Sequence, residues 1–331
     1  MAELRRDPIV GRWVIVDIKN PSEPKDFEYE QYIQKGGTCP FCYGNESMTP
    51  SEIECFRDRS TFSNTSGWQV RVIPNKFPAL QVEGDLERKG MGIYDMLNGV
   101  GAHEVLIESP YHYKDISDLL DCEVENIITM SCRRAADLAM DKRFKYIMIF
   151  RNYGHAAGAS LEHPHTQIIA LPMVPKNVAE EIKGSHDYFG YRERCIFCDI
   201  IRQELQENER VILENKYFVS LCPFVSRFPF EIWILPKKHN GSYCRMPSEE
   251  VPALASILKE TIGKIKKVFV NLSYNYIIHS APVNSDFDTE YYHWHIELMP
   301  KLMRVAGFEW GTGFYVDPTP PELAAKILKE I

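Results

Sequence analysis

The sequence predicts an α+β protein built as a tandem duplication, with a mainly antiparallel sheet and one long helix in each repeat. Three observations predict it. A Cys-x-x-Cys pair, a lone histidine and a closely spaced histidine pair occur twice in the same order: Cys39, Cys42, His103, His163 and His165, then Cys195, Cys198, His239, His293 and His295. The gaps from second cysteine to lone histidine are 61 and 41 residues, and from lone histidine to the pair 60 and 54. The intervening text also matches. Asn75-Lys76-Phe77-Pro78 precedes Glu104-Val105-Leu106-Ile107, as Ser226-Arg227-Phe228-Pro229 precedes Glu231-Ile232-Trp233-Ile234. Finally, each half sets one long helical stretch between strands, and strands outnumber helices.

Taken in order, Trp13-Val14-Ile15-Val16 and Gln69-Val70-Arg71-Val72-Ile73 are short, β-branched and apolar, and read as strands. Residues 17–30 are polar and proline-containing, a loop, and residues 44–66 are irregular. Ser117 is placed to cap a helix over 117–141, with Leu119, Leu120, Ile127, Ile128, Leu138 and Met140 on its apolar face. Tyr146-Ile147-Met148-Ile149 follows as a strand. Ser248 is placed to cap the matching helix, where Leu254, Ile257, Leu258, Ile262, Ile265 and Val268 keep helical spacing. Tyr276-Ile277-Ile278-His279 is the matching strand, and a short helix closes the chain over 318–329. The polar, glycine-bearing stretch 176–191 marks the boundary between a first domain over 1–176 and a second over 190–331.

With 331 residues, 44% hydrophobic and 25% charged, each half is long enough to bury a core. A net charge of −8 argues against a nucleic-acid partner bound through a basic face, though local cations and backbone amides can still bind small anions. Residues 1–7 are charged without an apolar stretch, so no secretory signal is expected. No apolar run reaches membrane-spanning length. Cytoplasm with reduced thiols is the expectation, and Cys55, Cys122, Cys132, Cys222 and Cys244 read as core or surface thiols.

The chemistry concentrates at His163-Pro164-His165-Thr166-Gln167, which turns apolar at Ile168. In a strand, alternation puts both imidazoles on one face, so one can be anchored while the other reacts. A neutral imidazole nitrogen is nucleophilic near pH 7 when the other nitrogen holds the proton. Gly158-Ala159-Ser160 just upstream can let backbone N–H groups approach a phosphate. A phosphate-transferring histidine is the first hypothesis, against the bland reading of a hydrogen-bonded core histidine. Each Cys-x-x-Cys reads as a redox dithiol, a metal half-site or chance. Two copies, each with ordered histidines downstream, favour tetrahedral zinc over the other two. His112, His155 and His186 show no partner pattern and read as surface or core. Tyr291-Tyr292-His293-Trp294 reads as core packing, and the acidic run 204–209 as a solvated helix face.

At these residues the chain resembles the galactose-1-phosphate uridylyltransferase family of the histidine-triad superfamily. The resemblance runs from Leu4–Val16 through the Cys39–Cys42 pair, Val72-Ile73-Pro74-Asn75-Lys76-Phe77-Pro78, Gly101-Ala102-His103-Glu104-Val105, Asn152 and the histidine motif to Ala306-Gly307-Phe308-Glu309-Trp310-Gly311. It implies two histidine-triad-like domains and transfer of a nucleoside monophosphate between a nucleotide sugar and a sugar 1-phosphate. UDP-glucose–hexose-1-phosphate uridylyl transfer in galactose metabolism is the foremost reading. On matching positions, His165 would be the nucleophile that forms a nucleotidyl-histidine. Gln167 would donate to a phosphoryl oxygen without adding negative charge. Gly158, Ala159 and Ser160 would cradle phosphates, and Asn75 and Asn152 would contact nucleotide or phosphate. Cys39, Cys42, His103 and His163 would bind zinc, with His163 pinning the strand that carries His165. A homodimer is also implied.

In the second repeat Glu297 stands where Gln167 would be, and a carboxylate there would repel phosphate. This copy therefore reads as structural. Cys195, Cys198, His239 and His293 are its favoured zinc ligands, as in the relative that acts on ADP-glucose. The family's other arrangement is a non-zinc metal such as iron, which Glu181, His279, His293 and His295 would hold. One departure is Glu23, where the family usually carries an arginine before proline. ADP-glucose phosphorylase activity, a nucleotide hydrolase and a non-catalytic zinc-stabilised binding module are the alternatives.

Overall fold

The computed structural model describes residues 2–285 and 289–331; Met1, the first residue of the charged opening segment, lies outside them. The strands are β1 (Ala2–Arg6), β2 (Trp13–Asp17), β3 (Glu54–Arg57), β4 (Trp68–Pro74), β5 (Lys89–Met91), β6 (Tyr94–Met96), β7 (Ala102–Ile107), β8 (Tyr146–Tyr153), β9 (His165–Leu171), β10 (Val211–Glu214), β11 (Phe218–Leu221), β12 (Ile232–Pro236), β13 (Tyr274–His279), β14 (His295–Pro300) and β15 (Tyr315–Asp317). The helices are α1 (Asp121–Leu138), α2 (Lys176–Arg192), α3 (Ile196–Glu207), α4 (Val251–Val268), α5 (Gly307–Thr312) and α6 (Pro321–Lys329).

Ten strands form one sheet in the order β10-β11-β12-β14-β13-β8-β9-β7-β4-β3. The halves mirror each other about its middle. Each contributes five strands in corresponding order, and β8 pairs antiparallel with β13 to join them. The expected duplication is thus visible as topology. Strands β1, β2 and β15 form a separate small sheet, and β5 and β6 a hairpin.

One face of the large sheet carries α1 and α4. Val124, Ile127, Ile128, Ser131, Ala135 and Leu138 of α1, and Leu254, Ile257, Leu258, Ile262 and Ile265 of α4, recur at three- and four-residue steps and are buried, the apolar ones in one core. In β9 alternation turns Ile168 and Ala170 into that core and leaves His165, Gln167 and Ile169 on the opposite face. A small apolar cluster of Cys39, Phe41, Trp68, Ile73, Val105 and Ile107 backs that opposite face.

Thr166, between the two candidate functional residues, is anchored from the helix side. Its hydroxyl donates to Glu108 at 2.8 Å and lies 2.9 Å from the Tyr276 hydroxyl on β13. Arg151 of β8, wholly buried, donates to both oxygens of Glu108 at 2.7 and 2.9 Å and pairs with Asp115 at 2.8 Å.

Several local expectations shift. Ser117 does not cap α1. It lies in a 3-10 turn over Ile116–Asp118 that Asp115 caps, and α1 starts after Leu120, whose N–H donates to Glu123. Ser248 opens another such turn, and α4 starts at Val251 with a proline in its first turn. The stretch 176–191 is helical, α2. Its Gly184 is a point of close approach, since a Cβ there would sit 1.7 Å from the Ile9 carbonyl oxygen. Glu204 is buried rather than solvated, because Arg210 clasps it at 2.9 and 3.0 Å.

Candidate active site and metal centres

The two cysteine pairs come together with histidines as tight clusters. Cys39, Cys42, His112 and His163 have ligand atoms all within 4.8 Å of one another, and so do Cys195, Cys198, His239 and His293. In the first set, His163 Nδ1 lies 3.7 Å from Cys39 Sγ and 3.6 Å from Cys42 Sγ, and His112 Nδ1 lies 3.2 Å from Cys42 Sγ. In the second, His293 Nδ1 lies 3.9 and 3.6 Å from the two sulfurs, and His239 Nδ1 3.5 Å from Cys198 Sγ. A tetrahedral zinc ion with its usual bond lengths places sulfur and nitrogen about 3.6 Å apart. Each set could therefore hold a metal ion, and the donors are compatible with zinc.

The tautomers agree with that. His163 Nε2 is 2.8 Å from the Ser109 carbonyl, and His293 Nε2 is 2.8 Å from that of Pro236. A carbonyl only accepts, so Nε2 carries the proton and Nδ1 points its lone pair at the sulfurs. Burial lowers the His163 value to about 4, which keeps the ring neutral.

His165 is buried beside this first set. Its Nδ1 lies 2.8 Å from the His163 carbonyl, so Nδ1–H donates and Nε2 keeps its lone pair. Burial pushes its pKa below the ordinary histidine value. Phe41 packs edge-on against the ring with centroids 5.5 Å apart. A buried, oriented, neutral imidazole with a free Nε2 is equipped for nucleophilic attack.

Two residues along the same strand face, Gln167 meets His103, and His103 in turn meets Asn75. His103 Nε2 lies 2.9 Å from Gln167 Oε1 and 3.0 Å from Asn75 Nδ2. Asn152 accepts from Asn275 at 2.8 Å. Gly158 takes φ +86, the left-handed region that glycine enters freely, and ends a short turn. The N–H groups of Gly158 and Ala159 close that turn on the carbonyls of His155 and Gly154. This corrects the expected cradle: those two amides are already bonded. Ser160 is exposed next to them.

The second repeat holds a third cluster. Glu181, His279, His295 and Glu297 also lie with ligand atoms within 4.8 Å. His293 sits with the cysteines instead, so the alternative ligand set divides, and Glu297 takes the place expected for His293. His279 meets Glu181 at 3.1 Å and Glu297 at 3.3 Å and stacks on His295 at 4.7 Å. Arg227 bonds Glu297 and Glu231. A cavity of about 310 Å³ opens on this cluster, between Arg12, Arg227 and the carboxylates of Asp7, Glu181, Glu231 and Glu297. Arg227 is already paired with Glu231 and Glu297, and the four carboxylates around it disfavour a phosphate there.

The sequence pattern of the galactose-1-phosphate uridyl transferase N-terminal domain matches residues 2–175, and that of the C-terminal domain matches residues 181–311. The chain belongs to the galactose-1-phosphate uridylyltransferase family. This is a transferase family. Among its relatives, ADP-glucose phosphorylase of Arabidopsis thaliana is 35% identical over 99% of this chain and 93% of its own length. Galactose-1-phosphate uridylyltransferase of Thermotoga maritima is 30% identical over 100% and 98%. A crystal structure of the Arabidopsis thaliana ADP-glucose phosphorylase with bound ADP-glucose superposes with a TM-score of 0.84, at 34% identity over 100% of this chain and 99% of that one. A uridylyltransferase structure superposes at 0.77 with 29% identity over 100% and 98%.

Within this uridylyltransferase-family chain His112, and not the expected His103, gathers with Cys39, Cys42 and His163. Strand β7 points His103 at Gln167, while His112, past the strand end, reaches Cys42. The duplication itself carried the signal. His112 falls eight residues after Glu104, as His239 falls eight after Glu231. Among the described residues no helix is long and apolar enough to cross a membrane.

Proposed function

We propose that the chain is a nucleotidyltransferase that moves a nucleoside monophosphate between a nucleotide sugar and a sugar 1-phosphate, as a hexose-1-phosphate uridylyltransferase. One observation carries this reading: His165, with Nδ1–H committed to the His163 carbonyl and Nε2 free, shares a strand face with Gln167 two residues on. His165 Nε2 attacks the α-phosphorus of the nucleotide sugar. An N–P bond forms, and the bond to the bridging oxygen breaks with its electron pair leaving on the sugar 1-phosphate. An acceptor phosphate oxygen then attacks the same phosphorus and the N–P bond breaks, restoring the imidazole. Gln167 offers amide N–H donors to the phosphoryl oxygens, and Asn75 and Asn152 contact phosphate or nucleotide. Residues 1–176 form the catalytic unit and 190–331 its partner repeat.

Cys39, Cys42, His112 and His163 would hold one zinc ion, and Cys195, Cys198, His239 and His293 a second. Zinc would supply structural cross-linking at both. His163 passes the constraint to His165 through its own carbonyl.

A second reading, adenylyl transfer from ADP-glucose to inorganic phosphate, is favoured by the 35% identity to the ADP-glucose phosphorylase and by the assembled second Cys/His set. The test is incubation with UDP-glucose and with ADP-glucose, each labelled in the α-phosphate, followed by trapping of the protein adduct. Hexose 1-phosphate or inorganic phosphate is then added to discharge it. A uridylyl adduct discharged by hexose 1-phosphate supports the first reading, and an adenylyl adduct discharged by phosphate the second. A His165→Asn protein that still turns over at the normal rate would sink both.

A further inference from the structure

His103 does more than miss the metal. It is half-buried on β7, and its strand neighbour Glu104 points the other way, to Arg134 of α1 at 2.8 and 2.9 Å. That clasp fixes the strand, so His103 faces the same side as Gln167. Three groups meet its ring. The Ala79 N–H donates to Nδ1 at 3.3 Å, Gln167 Oε1 lies 2.9 Å from Nε2, and Asn75 Nδ2 lies 3.0 Å from Nε2. A main-chain N–H cannot be turned round, so Nδ1 is the acceptor. The neutral ring then carries its proton on Nε2 and donates to Gln167 Oε1. Asn75 Oδ1 accepts from the Phe77 N–H at 2.9 Å, so its NH2 faces the ring without finding an acceptor at Nε2 and is available to a ligand.

We infer that His103 is a positioning residue: by holding Oε1 of Gln167 it aims the NH2 of that amide, and not its carbonyl, at the phosphoryl group received by His165. This rests on the nucleotidyl-transfer reading proposed above. An amide that rotated would point a carbonyl oxygen at the phosphate and lose the donor. The second repeat offers an internal control. In the Glu104–Glu231 alignment, Phe230 replaces His103, and there Gln167 gives way to Glu297. The amide and its anchor are present together in one half and absent together in the other. A carboxylate has two equivalent oxygens and needs no such orientation.

The experiment compares His103→Ala, His103→Gln, Gln167→Ala and the double variant His103→Ala/Gln167→Ala. The single-turnover rate of adduct formation is measured with labelled UDP-glucose and ADP-glucose, alongside nucleotide-sugar affinity and bound metal. His103→Ala is expected to slow adduct formation about 10–100-fold with affinity and metal content unchanged. His103→Gln, which can place an N–H near the same point, restores most of the rate. In the Gln167→Ala background the loss of His103 adds nothing further. Additive losses, a wild-type rate in His103→Ala, or loss of metal from it would overturn the inference. If the wild-type chain forms no adduct with either nucleotide sugar, the proposed function falls by itself. The inference is then decided by nitrogen NMR of the His103 ring: an Nε2–H tautomer, with a Gln167 amide signal that moves in His103→Ala, sustains it, and an Nδ1–H tautomer overturns it.

Discussion

Arg151→Met strands a buried carboxylate directly behind the strand that carries His165. Arg151 and Glu108 are both fully inaccessible. Arg151 gives Glu108 two hydrogen bonds, at 2.7 and 2.9 Å, and also bonds the Tyr274 hydroxyl. Asp115 loses one partner but keeps Lys266 at 3.1 Å, the Tyr274 hydroxyl at 2.8 Å and the Ile116 N–H at 2.7 Å. Glu108 keeps the Thr166 hydroxyl at 2.8 Å. The damage therefore falls mainly on one uncompensated buried charge, for which removal of a partner costs about 3–5 kcal/mol. That is a large share of a typical folding free energy of about 5–15 kcal/mol. With a urea dependence of about 3 kcal/mol per molar, the midpoint should fall by about 1–2 M. The double variant Arg151→Met/Glu108→Gln should recover a good part of the loss, because the remaining group is no longer charged. Equilibrium urea unfolding of wild type, single and double variants decides it. A single-variant loss under about 1 kcal/mol, or a double variant worse than the single, would refute the reasoning.

Gln167→Glu should fold almost normally and slow adduct formation about 1,000-fold, since a carboxylate about 4 Å from a phosphate at an effective dielectric near 20 costs about 4 kcal/mol. Trapping rates and the thermal midpoint of the same variant check it, and a wild-type rate would remove Glu297 as an argument against chemistry in the second repeat. His112→Ala should drop the metal content from about two ions per chain to about one and lower stability, read by elemental analysis and thermal unfolding; retention of both ions would return the fourth ligand to dispute. His279 titrates in the opposite sense from His165. Burial pushes it down, but the charges of Glu181 and Glu297 outweigh burial and hold it at about 10. Its folded value thus exceeds the unfolded one of about 6.5, so its stabilisation is whole below about pH 6.5 and fades as pH rises through about 10. Thermal midpoints should fall more steeply between pH 7 and 10 for wild type than for His279→Gln, and parallel curves would disprove the pairing.

The duplication was legible because paired histidines, cysteine pairs and the Glu-led strand recur with little else to confuse them. Topology then followed, including the antiparallel sheet and one long helix per repeat. The lone histidine of the first set is not legible from the cysteines, because two histidines, His103 and His112, follow that pair within nine residues of each other. Only the step from Glu104 separates them, and spacing from the cysteines does not. Helix starts are harder to read, because a serine near an apolar run looks like a cap whether or not a 3-10 turn intervenes; before α1 it is Asp115 and Glu123 that do the capping. The burial of Glu204 depends on Arg210 and on α6, far along the chain, where Glu322 also bonds Arg210. The amides of Gly158 and Ala159 were expected to face a ligand, and no sequence pattern reveals that a local turn consumes them.

The antiparallel seam between β8 and β13 has a consequence for any attempt to divide the molecule. Tyr274 to Ile278 register against Tyr153 to Ile149, so each strand is the other's outer neighbour. Severing the chain between the repeats would leave each piece with a bare row of N–H and C=O groups along a strand rich in isoleucine, tyrosine and phenylalanine. Such a row invites any similar strand, including another copy of itself. A fragment bearing only the first repeat would therefore be prone to self-pairing and precipitation, and would also lose Tyr276 from beneath Thr166.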